Sequence, residues 1–90
     1  MGLLFHGSLA DGEALRITKT NSITMVFMRF PIDALFLDRA GRVVRAVPDL
    51  RPWVPAIAAR GAVEVVELRA GTIAESGTQA GDDLVFESGR

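Results

Sequence analysis

Ninety residues, 49% hydrophobic and 23% charged, suit one small domain spanning 1–90 with a real core, and argue against wholesale disorder. A formal net charge of −1 points to neither a nucleic-acid footprint nor a polybasic membrane patch, and neither partner is expected. The absence of cysteine excludes disulfides, thiolate metal sites and cysteine nucleophiles, and one histidine, His6, cannot build a multi-histidine metal centre or a triad with any depth of choice. No metal or other cofactor is therefore expected.

The opening MGLLFHG is too short for a secretory signal and lacks its basic flank. No apolar run approaches the ~20 residues of a transmembrane helix, so a cytoplasmic location is the default, with export of a longer form left open. Downstream, short alternating segments punctuated by turn residues argue for strands. Residues 13–18 (EALRIT) alternate Leu15 and Ile17 against Arg16 and Thr18. Residues 23–30 (ITMVFMRF) are apolar on both faces and read as a central strand. Residues 33–38 and 42–47 flank Arg39-Ala40-Gly41, a loop whose glycine suits a hairpin with a left-handed residue.

Residues 48–61 (PDLRPWVPAIAARG) hold three prolines and no clear period. Proline lacks the amide donor of a ladder, so a long surface connection is expected. Strand character returns over 62–69 (AVEVVELR). Thr72 is placed to cap a short helix over 73–76 that Gly77 ends, and Ala80-Gly81-Asp82 turns the chain into a last strand over 83–87. The predicted fold is mainly β: a small antiparallel β-sandwich or partly open barrel with one short helix.

Several stretches occur together in order: Gly2-Leu3-Leu4-Phe5, Phe27-Met28-Arg29, Pro31-Ile32-Asp33, Phe36-Leu37-Asp38, Gly41-Arg42-Val43-Val44, Pro52-Trp53, Glu67-Leu68, Ala70-Gly71-Thr72 and Gly81-Asp82. This pattern resembles the uncharacterised, mainly prokaryotic domain-of-unknown-function family 192. The resemblance covers nearly the whole chain, and the block FMRFPIDALFLD is its most specific part. It implies a compact β-sandwich or barrel-like fold and brings no established activity. Relatives tend to carry a cysteine and a histidine just before the FMR block. The matching stretch here, 20–25, has neither, and Thr24 stands where the histidine falls, so a metal or nucleophile role resting on that pair does not transfer. Relatives also usually begin with a further strand, and from the resemblance a short form with a sheet edge open to a partner or a second copy is one expectation.

Arg29 and Asp33 bracket Pro31, and four residues apart in an extended segment they share a face. They read either as a charged pair lining a pocket, with Arg29 gripping an anion, or as an ion pair or backbone-capping network that fixes the strand crossing. The second is the commoner arrangement. Met1, Met25 and Met28 read as core filler rather than copper ligands, and strand geometry puts Met25 and Met28 on opposite faces. Asn21, Ser22 and Thr24 can meet a polar ligand at a barrel mouth or satisfy a local turn. Trp53, between Pro52 and Pro55, is either an anchor for a partner or ligand or, more commonly, a lid folded back over the core. His6 reads as a surface residue, while Asp38 and Asp82 read as turn residues that accept local amides.

The arginines at 39, 42, 45, 51 and 60 and the acids at 64, 67, 75, 82, 83 and 87 are expected to offset each other across strands or to face water. An anion-binding arginine face is the minor alternative, since no glycine-rich phosphate loop accompanies it. With one histidine and carboxylates mostly at turns and surface, the inventory argues against an enzyme, although a single aspartate with a raised pKa remains able to act. Two functions follow. The preferred one is a non-enzymatic binding or interaction module, engaging a protein partner or a second copy through the 48–61 loop or an open strand edge. The alternative is a small-ligand-binding or weakly hydrolytic domain with Arg29 and Asp33 in the pocket.

Overall fold

The computed structural model describes residues 2–5, 14–25 and 28–86. Expectations for His6 and Phe27, and for the strand ends at Glu13 and Glu87, lie outside these residues.

The chain is mainly β, in sheets that do not close into a barrel. Four strands form the central antiparallel sheet in the order β2 (Ala14–Thr18), β7 (Glu64–Arg69), β4 (Ile32–Leu37), β5 (Val43–Leu50). Two short pairs accompany it: β1 (Gly2–Phe5) parallel to β8 (Asp83–Phe86), and β3 (Ser22–Ile23) antiparallel to β6 (Ile57–Ala58). One helix, α1, covers Thr72–Ser76.

The central sheet is covered on both faces, which explains why all six residues of β4 are buried. On one face Ile32, Ala34, Phe36 and Val65 pack with Ile23, Met25, Leu50, Ala59 and Ala62, beneath β3 and β6. On the other, Leu35, Leu37, Val43, Val66 and Leu68 pack against Ile73 of α1 and Leu84 of β8. The period-two alternation of side chains sends alternate residues of β4 and β7 to the two cores.

The hairpin β4–β5 turns where the glycine predicts. Gly41 has φ 85°, its N–H donates to the Asp38 carbonyl (3.0 Å), and Asp38 Oδ1 accepts the N–H groups of Ala40 and Arg42, each at 2.9 Å. An added Cβ at Gly41 would lie 3.4 Å from the Leu84 carbonyl oxygen. Asp82 is also a turn acceptor, receiving the Gln79 N–H at 3.0 Å.

The expected central strand over 23–30 does not form. Pairing stops at Ile23, and the chain turns so that the Met25 carbonyl accepts the N–H of Met28 (3.0 Å) and of Trp53 (2.8 Å). The turn also brings Met25 and Met28 to one core cluster instead of opposite strand faces. The central strands are β4 and β7. The 48–61 segment is likewise not one open connection: β5 runs on through Pro48 to Leu50, and Ile57–Ala58 pairs with β3. Proline is tolerated in β5 because that strand lies at the sheet edge and bulges there.

Candidate functional site

The Arg29–Asp33 segment resolves into two separate situations. Asp33, on β4, is fully buried. Opposite it β5 carries an extra residue: Ile32 faces Leu50 and Ala34 faces Val47, so Asp33 meets both Pro48 and Asp49. Pro48 has no N–H to give, and Asp49 adopts φ 52°. The Asp33 carboxylate completes the broken ladder, with Oδ1 accepting the Asp49 N–H at 2.8 Å. Its Oδ2 accepts the N–H groups of Gly71 (3.1 Å) and Ile73 (2.7 Å). The residue at the helix N-cap is Gly71, which has no side chain to offer, and the cap predicted from Thr72 is absent. Thr72 Oγ1 donates instead to the Arg69 carbonyl at 2.7 Å. An aspartate nearly 40 residues upstream thus does what a local cap ordinarily does for the orphan amides of a first turn. Gly77 closes the helix as predicted, at φ 71° with its N–H on the Ile73 carbonyl.

Arg29 is exposed, precedes β4, and forms no ion pair with Asp33. The ion pairs among the described residues lie elsewhere: Arg16 with Glu64, Arg42 with Asp83 (2.9 Å) and Arg51 with Asp49 (3.3 Å). The Arg42 guanidinium holds the Asp83 carboxyl below its ordinary value, by hydrogen bond and by charge. This pair is one case of a middle arginine meeting a late acid. Arg45 donates to the Ala58 carbonyl at 2.7 Å, tying β5 to β6. The described residues contain no group of three or more His, Cys, Asp or Glu side chains arranged to hold a metal.

Among the described residues a cavity lies over the β2–β7–β4 part of the central sheet. It is a cleft of about 560 Å³ lined by Leu15, Met28, Phe30, Ile32, Glu67, Leu68 and Arg69. Neither Arg29, Asp33, Thr24 nor Trp53 lines it. Pairing explains the floor: Glu67 faces Leu15 on β2 and Ala34 on β4. The wall comes from Met28 and Phe30 of the segment that turns away from the sheet. Leu15 and Phe30 are 58% and 60% exposed, large apolar surface for a chain of this size. Burial in these surroundings raises the Glu67 carboxyl above its ordinary pKa of 4.5, and no neighbouring charge offsets the shift. Glu67 makes no hydrogen bond or ion pair to a described residue.

Trp53 is 63% exposed, so it does not form the lid over the core. Its φ of 73° is unusual for a bulky residue and is held by the bond from its N–H to the Met25 carbonyl. Thr24 is exposed, next to the buried Met25. Leu15, Phe30 and Glu67 are the cleft residues that sequence reasoning missed. The available signal was Glu67 itself, a lone carboxylate sharing a strand face with Val65 in an apolar run.

The chain belongs to domain-of-unknown-function family 192, described as an uncharacterized ACR, whose model matches residues 1–86. No functionally curated protein matches it. A crystal structure at 1.22 Å resolution of a protein of unknown function from Novosphingobium aromaticivorans DSM 12444 is similar, with a TM-score of 0.70 and 25% sequence identity. The match covers 91% of this chain and 63% of that one, so the chain spans less than two thirds of its neighbour's length. The neighbour shares the fold, and neither family nor neighbour brings a specific activity. No helix of the described residues is long and apolar enough to cross a membrane.

Proposed function

We propose that this protein is a non-enzymatic binding module and that its recognition site is the cleft between the Met28–Phe30 segment and the β2–β7–β4 end of the sheet. The observation that carries this reading is the cleft's composition: exposed Leu15 and Phe30 above a half-buried Glu67, in a volume of about 560 Å³ typical of small-molecule sites. Its described lining offers one titrating carboxylate and no nucleophile, a poor inventory for hydrolysis and a sufficient one for binding. Nuclear magnetic resonance screening of the labelled chain against a small-molecule library tests it. Binders should shift the amides of Leu15, Phe30 and Glu67, and Phe30→Ser should weaken them. Hits that map elsewhere, or none at all, count against the cleft.

A second reading, self-association or a protein partner at the 48–61 loop or a strand edge, is favoured by Trp53. A tryptophan held outward at a positive φ is the kind of anchor that interfaces use. The outer edge of β2, which pairs with no described strand, is one of the two edges of the central sheet. Sedimentation equilibrium of the wild type and Trp53→Ala decides it: concentration-dependent dimers lost in the variant support this reading, and a monomer at all concentrations removes self-association.

A further inference from the structure

The geometry points to a small organic amine as the cleft's ligand: an apolar body against Leu15, Met28 and Phe30, with its ammonium group donating to Glu67. This rests on the cleft being the binding site.

The argument starts from what an occupant does to Glu67. The carboxylate sits on β7 between apolar neighbours, and the described residues give it no donor. Water is what solvates it. An apolar molecule that filled the cleft would strip that water and leave a charge without a partner, which disfavours hydrocarbon ligands. A ligand carrying a carboxylate or phosphate would add like-charge repulsion at the same point. A protonated amine supplies the missing donor and the opposite charge together, and such charge-assisted bonds are the strong ones. Arg69, the other charged residue lining the cleft, stands two positions along β7, and no hydrogen bond or ion pair joins it to Glu67. The volume of about 560 Å³ fits a small molecule.

The test is a titration of the isotope-labelled chain with hexylamine, hexanol and hexanoate at neutral pH and fixed ionic strength, on the wild type and on Glu67→Gln. Hexylamine should saturate shifts at Leu15, Phe30 and Glu67 about ten-fold more tightly than hexanol, with hexanoate weakest. Glu67→Gln should bring hexylamine to the level of hexanol. The wild-type preference for the amine should also fade as the pH falls through the raised pKa of Glu67, because protonation removes the acceptor's charge. Equal binding of the three probes, a preference for hexanoate, or an amine preference that survives Glu67→Gln overturns the inference and leaves the cleft as a site. A lysine-bearing peptide binding more tightly than hexylamine overturns the small-molecule class. If no probe produces saturable shifts at the cleft, the binding site falls together with its ligand.

Discussion

Asp33 and Glu67 are two carboxylates on neighbouring strands, one residue out of register: Asp33 faces Leu68 and Ala34 faces Glu67. That single step sends them to opposite faces of the same sheet. Asp33 enters the core beneath α1 and meets three backbone N–H groups. Glu67 lies on the other face, in the cleft, and meets none among the described residues. The same functional group is therefore structural in one place and poised for a partner in the other. What separates them is the supply of donors: α1 and the β5 bulge bring amides to one carboxylate, and no described residue does the same for the second.

The comparison breaks most visibly at Asp33. Asp33→Ala orphans the amides of Asp49, Gly71 and Ile73 and should cost about 3 kcal/mol or more in urea unfolding. A loss under about 1 kcal/mol would mean that the network is not what holds β5 and α1 to β4. At Glu67 the sign should reverse. Glu67→Leu removes a half-desolvated charge and adds apolar contact, so a gain of about 1 kcal/mol is expected at neutral pH, and a loss would show that the carboxylate has a structural partner.

The pH dependence of Glu67 carries the same sign. Its pKa is raised in the fold, so the folded state holds the proton more tightly than the unfolded chain does. The stability of the wild type relative to Glu67→Gln should rise as pH falls through the raised value, and the rise is complete below the ordinary 4.5. Trp53 supplies a backbone counterpart. Trp53→Gly should be more stable than Trp53→Ala by about 1 kcal/mol, since both lack the indole and glycine alone accepts the positive φ without strain. Arg29→Met should move stability by no more than about 0.5 kcal/mol, as suits an exposed residue with no ion pair to Asp33.

Much of the fold was legible because local chemistry and tertiary outcome agree. Gly41 between the apolar runs DALFLD and RVVRAV marks the hairpin, and Gly77 marks the helix end. Where they part, the cause is a contact distant in sequence. Residues 23–30 look like a buried strand because Ile23, Met25 and Met28 do enter a core, but the Met25 carbonyl is taken by Met28 and Trp53 instead of a ladder. Thr72 looks like a cap, but Asp33 reaches the first-turn amides. At the Arg29–Asp33 pair, spacing put the two residues on one face. It did not show that β4 begins after Pro31, which leaves Arg29 in solvent. The cleft was hidden for the same reason. Glu67 is visible in AVEVVELR as a carboxylate on the strand face of Val65, yet the cleft around it arises only where Met28 and Phe30 come beside β2, β7 and β4.

The shared acceptor at Met25 has an optical consequence. One carbonyl oxygen holds the backbone of Met28, which lines the cleft, and that of Trp53, the only tryptophan in a chain without tyrosine. The cleft wall is thus linked, through two hydrogen bonds on one oxygen, to the backbone of the sole strong fluorophore, whose ring stands largely in water. The native chain therefore carries its own emission probe coupled through the backbone to the proposed site, and ligand titrations can be followed without a label.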